Sequence, residues 1–299
     1  MSEHAVELRA LLRRLPASTE IIGDESRSIT GVTLDSRTAR PGALFVALAG
    51  EHTDGHAFVA QAVSNGATAV VLEQGRSIDA HGATVMFVPS TRRALSSIAA
   101  TFYGDPSHAV AVAGITGTNG KTTTTRMLGA ICNAAGRPCG IIGTTGAEFG
   151  ERRWPLAHTT PLPPELHRLL AEMRDAGAQT VAMEVSSHAL ALDRVDDVRF
   201  RLGALTNVTR DHLDFHGTIE AYAAAKHRLF VMAEAVVLNV DDEFGARWAS
   251  ELAGRAPMLT YSLRSGADIV ASHIETSANG SRFMVDGTTF SISLPGRFN

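Results

Sequence analysis

The chain has 299 residues, enough for about two domains, and its 44% hydrophobic and 19% charged residues are typical of a globular protein with a packed core. The net charge of -4 and the 6% aromatic content argue against a nucleic-acid partner. Cys132 and Cys139 form neither a metal-ligand pattern nor a disulfide framework. Residues 1–15 hold no apolar stretch long enough for a signal peptide or membrane span, so we expect a cytoplasmic protein.

The first part of the chain alternates strand and helix patterns after a short opening helix. Hydrophobic periodicity and capping signals predict strands at 43–48, 68–72 and 84–88 and helices at 57–64 and 91–102. A polar, turn-rich segment follows at 103–107. We therefore predict a small N-terminal α/β domain over residues 1–104.

From residue 109 the alternation repeats on a larger scale. Apolar runs predict strands at 109–114, 139–142, 179–185, 203–207, 235–239 and 257–261, with helices between most of them. Near-continuous apolar strands separated by helices indicate a mostly parallel sheet covered on both faces. After residue 262, short alternating strands predicted at 268–275, 281–286 and 288–294, with turns at Asn279-Gly280 and Asp286-Gly287, indicate antiparallel hairpins at a sheet edge. The predicted fold class is α/β, with a second domain over 105–299.

A glycine-rich turn joins the strand at 109–114 to a helix predicted over 122–135. The segment reads GITGTNGKTT, from Gly114 to Thr123, and it points backbone N–H groups and a helix N-terminus at a phosphate chain. Its spacing departs from the standard P-loop because Ile115 occupies the place of the first glycine. An ordinary strand-to-helix turn is the alternative. The Gly-Lys-Thr at the junction favours a nucleoside triphosphate site, with Lys121 on the outer phosphates and Thr122 on Mg²⁺.

Polar side chains follow two later strands of the predicted parallel sheet. Glu184 ends the strand at 179–185, and ligands of open parallel sheets bind at the carboxyl ends of the strands. A hard oxygen ligand at that edge suits Mg²⁺. The loop after the next strand crowds Asp211, His212 and Asp214 together, and His212 is a candidate metal or phosphate contact. A solvated glutamate and a solvated histidine are the alternatives.

Several other polar positions allow either a structural or a functional interpretation. Lys226, on a helix predicted from 218 to 232, looks like a solvated surface lysine. The loops 35–37 and 50–56 cap helices and make turns, or form the rim of a polar ligand site. The hydroxyl-rich segments 143–146 and 158–161 suit phosphate or sugar binding, or simple capping.

Four motifs together identify a resemblance that covers nearly the whole chain. GITGTNGKTT, MEVSSHAL, LTNVTRDHLDFHGT and AAAKHRLF occur in this order, and they resemble the Mur ligases, ATP-dependent amide-forming enzymes of peptidoglycan precursor synthesis. The N-terminal pattern, with LDSR, GTTG and HTTP, is similar to one branch of that family. This branch adds the third amino acid, meso-diaminopimelate or L-lysine, to UDP-N-acetylmuramoyl-L-alanyl-D-glutamate.

The resemblance implies a role for each matching position. Residues of the loop, Gly117, Thr118, Asn119, Gly120, Lys121, Thr122 and Thr123, would bind ATP. Thr122, Glu184, His212 and a carbamylated Lys226 would hold Mg²⁺, with Lys121, His212 and Lys226 acting in catalysis. Contacts to the UDP-linked substrate would come from Ser36, Glu51, His52, Thr53, Thr159, Thr160, Ser186 and Arg194.

The implied reaction is phosphoryl transfer to the D-glutamate carboxylate followed by amide formation. In the family, residues such as 294–299 lie inside the central domain, so the resemblance implies that the C-terminal domain is absent and the central domain incomplete. A complete enzyme is expected to be a monomer.

Three alternatives stay open at the level of sequence. The first is another amide ligase of the superfamily, such as a folylpolyglutamate or cyanophycin synthetase. The second is a truncated homologue that binds nucleotide or UDP-muramyl peptide without turnover. The third, a P-loop kinase or GTPase, requires a strand-end aspartate where this chain has Glu184.

Overall fold

The computed structural model describes residues 4–50 and 53–295. The chain packs as two compact units within these limits. Unit 1 consists of the described residues up to Pro106 together with 162–171 and 192–198. Unit 2 consists of residues 107–161, 172–191 and the described residues from Arg199 onward. The domain boundary after residue 104 remains a prediction from the sequence.

The part of the chain up to residue 106 contains seven strands and three α-helices among its described residues. The strands are β1 (Val6–Glu7), β2 (Glu20–Ile22), β3 (Ser28–Ile29), β4 (Gly31–Thr33), β5 (Ala43–Val46), β6 (Ala67–Glu73) and β7 (Thr84–Val88). The helices are α1 (Leu8–Leu11), α2 (Val59–Ser64) and α3 (Thr91–Phe102). The predicted bounds of α3 and β7 are confirmed to the residue. Ser90 begins α3 because its hydroxyl accepts a hydrogen bond from the Arg93 N–H.

Unit 1 is built on a five-stranded sheet in the order β2-β7-β6-β5-β4. All neighbours are parallel except β2 and β7. Successive side chains of a strand point to opposite faces, so Val71 packs in one buried cluster with α1 and α3 residues and Val70 in another with α2 residues. The near-continuous apolar run of β6 therefore supplies two cores, one on each face of the sheet.

After residue 106 the described chain forms twelve more strands and six α-helices. The strands are β8 (Ala111–Thr116), β9 (Cys139–Gly143), β10 (Gly146–Phe149), β11 (Arg152–Trp154), β12 (Thr180–Glu184), β13 (Phe200–Leu205), β14 (Val236–Asn239), β15 (Met258–Ser262), β16 (Ile269–Val270), β17 (Ser272–Ser277), β18 (Gly280–Val285) and β19 (Thr288–Ile292). The helices are α4 (Lys121–Ala134), α5 (Pro163–Asp175), α6 (Ser187–Ala191), α7 (Leu213–His216), α8 (Ile219–Met232) and α9 (Glu243–Glu251).

Unit 2 contains a nine-stranded sheet in the order β11-β10-β9-β12-β8-β13-β14-β15-β16. The seven strands from β9 to β16 are parallel, as predicted. The strand β8 lies between β12 and β13, so the chain leaves it toward one edge of the sheet and later returns on its other side. Ligand sites in open α/β sheets lie at such a switch point. The carboxyl ends of β8, β12 and β13 therefore define the edge where a site is expected.

Antiparallel strands occur in two places in unit 2. The hairpins predicted after residue 262 are confirmed, and they pair with each other in a separate three-stranded sheet, β17-β18-β19. The antiparallel edge of the large sheet is made instead by β10 and β11. None of the helices formed by the described residues combines the length and the hydrophobicity of a transmembrane helix.

Candidate functional site

The glycine-rich turn lies between β8 and α4, at the switch point of the large sheet. Gly120 precedes α4 in the left-handed conformation, with φ of 83°, and in the part of the chain that the structure describes no side chain caps the helix. The first-turn N–H groups of a helix without a side-chain cap suit an anion. Gly117 has φ of 149°, and a Cβ there would lie 1.8 Å from the Thr206 hydroxyl. Glycine is therefore required at position 117 for the turn to pack as it does.

A second loop, after β13, holds this turn in place. The Thr118 N–H donates to the Asn207 carbonyl at 2.8 Å, and the Asn119 N–H donates to the Asn207 side chain at 3.0 Å. In the other direction, the Thr206 hydroxyl donates to the Asn119 carbonyl at 2.6 Å. The two loops are thus tied together through backbone groups on both sides.

Lys121 is curled over its own turn. Its ammonium donates to the carbonyls of Gly117 and Thr118 at 2.8 and 2.9 Å. Burial lowers the pKa of Lys121, while the negative charges of Glu184 and Asp211 act in the opposite direction. A concentrated positive charge is therefore held directly at the mouth of the turn.

The Glu184 carboxylate is the centre of a buried oxygen cluster. Glu184 is only 2% exposed, and one carboxylate oxygen accepts from the hydroxyls of Thr122 and Thr144 at 3.0 and 3.1 Å. The other oxygen accepts from the Thr144 N–H at 3.0 Å. A Cβ at Gly143 would come within 2.1 Å of that oxygen, so the glycine makes room for the carboxylate.

This cluster has the chemistry that Mg²⁺ requires. Mg²⁺ is held in proteins by one or two carboxylates together with hydroxyls, phosphate oxygens and water. Among the residues that the structure describes, no three His, Cys, Asp or Glu side chains are grouped as metal ligands. The oxygen set around Glu184 fits a cation that completes its coordination with phosphate and water rather than with an all-protein cage.

Three predicted substrate contacts lie beside Glu184. The Thr159 hydroxyl is 3.1 Å from that of Thr144. The Thr160 hydroxyl is fully buried; it donates to the Glu184 carbonyl at 2.8 Å and accepts from the Ser186 N–H at 3.0 Å. In this structure Thr160 therefore braces the backbone on either side of Val185, whereas Thr159 is only partly buried.

Lys226 is a buried lysine, not the solvated one that its helical position suggested. It is 1% exposed, its ammonium donates to the Gly117 carbonyl at 2.9 Å, and it lies 4.4 Å from the centre of the Tyr222 ring. Burial lowers the pKa of Lys226 to about 7, the positive charge of Lys121 adds to this effect, and Asp211 opposes it. Near neutral pH, a substantial fraction of this amine is uncharged and nucleophilic.

His212 borders the same edge of the sheet. It precedes α7 in the left-handed conformation, with φ of 51°, and its ring centre is 4.8 Å from that of His188 and 6.2 Å from that of Tyr222. Its Nε2 lies 3.6 Å from the Asp211 carboxylate. The imidazole is about half exposed, so it is accessible to a ligand at this edge.

Sequence reasoning named one further residue of this site only within a segment, and it missed another. Thr144, in the segment 143–146 for which phosphate or sugar binding was one alternative, contacts Glu184 through both its N–H and its hydroxyl. Tyr222 contacts Lys226 and Thr118, and its spacing of four residues before Lys226 on one helix was the available signal.

Unit 1 carries a separate cleft of about 620 Å³. Two of the predicted substrate residues, Ser36 and Thr53, line it, whereas Glu51 and His52 lie outside the described residues. Ser36 is buried, and its hydroxyl donates to the Gln61 side-chain oxygen at 2.6 Å. The cleft therefore presents an ordered polar wall.

Two arginines of unit 1 lie close to each other. Arg92 lines the cleft and donates to the Ala49 carbonyl at 2.6 Å. Burial lowers the pKa of Arg194, and the nearby positive charge of Arg92 lowers it further. Two guanidinium groups place positive charge in this part of unit 1.

Comparisons with known proteins agree with this geometry. Residues 115–299 match the model of the Mur ligase middle domain, and residues 28–103 match that of the Mur ligase family, catalytic domain. The chain is 41% identical over 96% of its length to the UDP-N-acetylmuramoyl-L-alanyl-D-glutamate–2,6-diaminopimelate ligase of Geobacter metallireducens. It is 39% identical over 98% of its length to the ligase of the same name from Geobacillus thermodenitrificans.

A solved structure of a ligase with that name superposes on 98% of the chain with a TM-score of 0.81 and 28% identity. The chain spans 58% and 62% of the two relatives' lengths and 61% of the solved structure.

Proposed function

The chain belongs to the Mur ligase family, and on this premise we propose that it acts in the ATP-dependent addition of the third amino acid to UDP-N-acetylmuramoyl-L-alanyl-D-glutamate. This step belongs to peptidoglycan precursor synthesis and cell wall biogenesis, and so to cell shape and division. The observation that carries the proposal is the hydrogen bond between Thr122 and the buried Glu184 carboxylate at the carboxyl edge of the sheet. That bond joins the first turn of α4, the proposed phosphate-binding helix, to the carboxylate proposed as a Mg²⁺ ligand.

The turn from Gly117 to Thr123 is the proposed ATP phosphate site. Its support is the uncapped N-terminus of α4 and the two positive φ angles of its glycines. Lys121 would exchange its two loop carbonyls for the β- and γ-phosphate oxygens, which pair better with an ammonium than neutral carbonyls do.

Thr122, Glu184, His212 and a carbamylated Lys226 are the residues proposed to hold Mg²⁺. When bound, Mg²⁺ neutralises the negative charge that develops on the phosphates during transfer. The oxygen cluster around Glu184 supports the proposed roles of Thr122 and Glu184 as Mg²⁺ ligands.

Carbamylation of Lys226 is supported by its environment. The neutral amine nitrogen would attack the carbon of CO₂ and lose a proton to solvent, which leaves a carbamate with two oxygen ligands. An ordinary lysine is almost fully protonated at neutral pH and reacts poorly. The burial of Lys226 and the proximity of Lys121 remove much of that barrier.

The cleft in unit 1 is the proposed UDP site. Ser36, Thr53 and Arg194 are candidates for contacts to uridine and diphosphate, and the charge of Arg92 supports an anionic ligand there. Glu51 and His52 stay predictions for the same ligand. Thr159, Thr160 and Ser186 are proposed to face the sugar and peptide arm, Thr160 through the backbone that it braces.

The proposed reaction has two steps. A carboxylate oxygen of D-glutamate forms a bond to the γ-phosphorus while the bond to the β-phosphate oxygen breaks, which releases ADP. The amine of the incoming amino acid then attacks the acyl carbon, and inorganic phosphate leaves. Lys121 would stabilise charge in the first step, where preorganised cations contribute most.

We propose diaminopimelate as the incoming amino acid, since the cited relatives carry it in their names. The test is ADP release by the purified chain with ATP, Mg²⁺ and the UDP-linked dipeptide, with diaminopimelate or L-lysine. ADP release that needs both the UDP substrate and diaminopimelate supports the proposal. ADP release at the same rate with and without the UDP-linked substrate would contradict the proposed function.

A second candidate is binding of ATP and the UDP-linked peptide without turnover. Binding without turnover requires only the turn before α4 and the cleft of unit 1, and both lie among the described residues. Calorimetric binding of both ligands with no amide product by mass spectrometry would support this second function.

A cytoplasmic location and a monomeric state remain predictions.

A further inference from the structure

Tyr222 lies between Lys226 and the glycine-rich turn, and none of the roles proposed above involves it. It lies in the first turn of α8 and is 1% exposed. Thr218 begins this helix, because its hydroxyl accepts from the Ala221 N–H at 3.1 Å. Residues four apart share one face of a helix, so the start of α8 directs Tyr222 and Lys226 to the same place.

The Tyr222 ring packs against Lys226. The lysine ammonium lies 4.4 Å from the ring centre, within the range of a cation–π contact. A lysine side chain has four rotatable bonds and loses much rotamer freedom when it is held in one geometry. The ring restricts that freedom and keeps the nitrogen at 2.9 Å from the Gly117 carbonyl.

The Tyr222 hydroxyl reaches the glycine-rich turn itself. It lies 3.1 Å from the Thr118 hydroxyl, which also accepts from the Thr209 N–H at 2.9 Å and donates to the Thr209 carbonyl at 3.2 Å. The Thr118 hydroxyl is therefore the point where α8, the turn and the loop after β13 meet. Gly117 and Thr118 are adjacent, so the ring and the hydroxyl of one tyrosine act on neighbouring peptides.

We propose that Tyr222 is a positioning residue for the ATP site. Its ring holds Lys226 in its reactive position, and its hydroxyl holds the turn at Thr118 in the conformation that receives phosphate. This inference rests on the proposed function, because it assigns Tyr222 to the same site. The ring and the hydroxyl of Tyr222 act on different partners, Lys226 and Thr118. Removing the hydroxyl alone should therefore affect ATP binding without affecting Lys226, whereas a tyrosine with a purely structural role would show no such difference.

Two substitutions in the 299-residue chain test the proposed roles of the Tyr222 ring and the Tyr222 hydroxyl separately. Tyr222→Phe removes the hydroxyl and keeps the ring, whereas Tyr222→Leu removes both. The matched control is Tyr261→Phe, which deletes a hydroxyl that donates to the Leu205 carbonyl at 3.0 Å and lies 3.5 Å from the Thr206 carbonyl, with no hydrogen bond to residues 117–123 or Lys226 among the described residues. Thermal unfolding of each variant establishes that it is folded.

The readouts are the Kd for MgATP by calorimetry and the carbamate signal of Lys226 by NMR in ¹³C-bicarbonate. We expect Tyr222→Phe to weaken MgATP binding about fivefold, the effect of one hydrogen bond, with the carbamate signal unchanged. We expect Tyr222→Leu to weaken binding by about tenfold or more and to abolish the carbamate signal. Tyr261→Phe should change neither.

Several results would overturn this assignment. They are equal effects of the two Tyr222 variants on both readouts, or a carbamate signal that persists in Tyr222→Leu. A folded wild-type chain with no carbamate signal would instead refute the proposed carbamylation of Lys226, and the role of the Tyr222 ring with it. A folded wild-type chain that fails to bind MgATP would instead refute the proposed function, and this inference with it.

Discussion

The buried histidine His167 should make unit 1 sensitive to acid. His167 lies on α5, in the segment that packs with unit 1, and is 0% exposed. Within residues 4–50 and 53–295, neither ring nitrogen has a hydrogen-bond partner. Burial lowers the pKa of His167 from 6.5 to about 4, and the charges of Asp105 and Arg14 act in opposite directions on it. The folded state therefore keeps this imidazole neutral where the unfolded chain protonates it.

The sign and size of the effect follow from linkage. Below pH 6.5 the unfolded chain binds a proton at His167 that the folded chain does not bind. The free energy of unfolding is therefore unaffected above pH 6.5 and decreases as the pH falls toward 4. The difference between the two pKa values of His167, unfolded and folded, corresponds to about 3 kcal/mol of unfolding free energy at roughly 1.4 kcal/mol per pKa unit. The substitution His167→Leu removes the titrating group and two unpaired buried nitrogens, whose burial costs about 1–3 kcal/mol. We expect this variant to be at least as stable as the wild type at pH 8 and increasingly more stable as the pH falls.

The assay must report on unit 1 alone. Trp154 and Trp248 belong to unit 2, so their fluorescence does not follow the unfolding of unit 1. We would equilibrate the chain in urea at each pH, apply a brief deuterium pulse, and follow peptides of α3 by mass spectrometry. The control is His108→Leu, which removes an exposed histidine.

The difference in unfolding free energy between His167→Leu and the wild type should grow by about 3 kcal/mol between pH 7 and pH 4. It should then level off. A difference that does not depend on pH, or one that the His108→Leu control reproduces, would show that His167 does not stay neutral in the fold.

Three further predictions concern the proposed ligand sites. Gly117→Ala should weaken MgATP binding by at least about tenfold because its Cβ has no room, whereas Gly150→Ala, at a positive φ in open space, should not change the Kd in calorimetry. Glu184→Gln keeps one oxygen to accept from the Thr144 N–H, but its amide NH₂ must donate to the Thr122 and Thr144 hydroxyls that now donate to the carboxylate. It should lose most of the gain in ATP affinity that Mg²⁺ brings, as measured by titrations with and without the metal; an unchanged gain would remove Glu184 from the metal site. Arg92→Gln should weaken UDP binding about fivefold, the effect of one lost charged contact, and its exposed neighbour variant Arg93→Gln should not; equal effects would show that only net charge matters.

Much of the secondary structure could be predicted because its signals are local. The helix α3 has its capping serine and its apolar spacing within one short segment, and the strand β7 is a continuous apolar run. The hairpin of β10 and β11 was missed, since its strands are short and carry polar residues. The three short strands β2, β3 and β4 were missed for the same reason.

The pairing of strands was less predictable than their existence. Residues 268–275 were predicted as one strand, but the structure divides them between β16, which pairs with β15 in the large sheet, and β17, which pairs with β18. Both halves show strand alternation, and nothing in a strand's own residues specifies its partner. A left-handed residue, His273, lies at the start of β17.

The sequence by itself determined the features that depend on neighbouring residues: the glycine turn before α4, the carboxylate at the end of β12 and the polar loop before α7. Only the tertiary structure decided what Lys226 is. A lysine among alanines on a helix looks solvated, yet packing against Tyr222 and Gly117 strips its water and brings Lys121 close. Desolvation and charge proximity act between residues that are over a hundred positions apart in the chain, so no local pattern can reveal them.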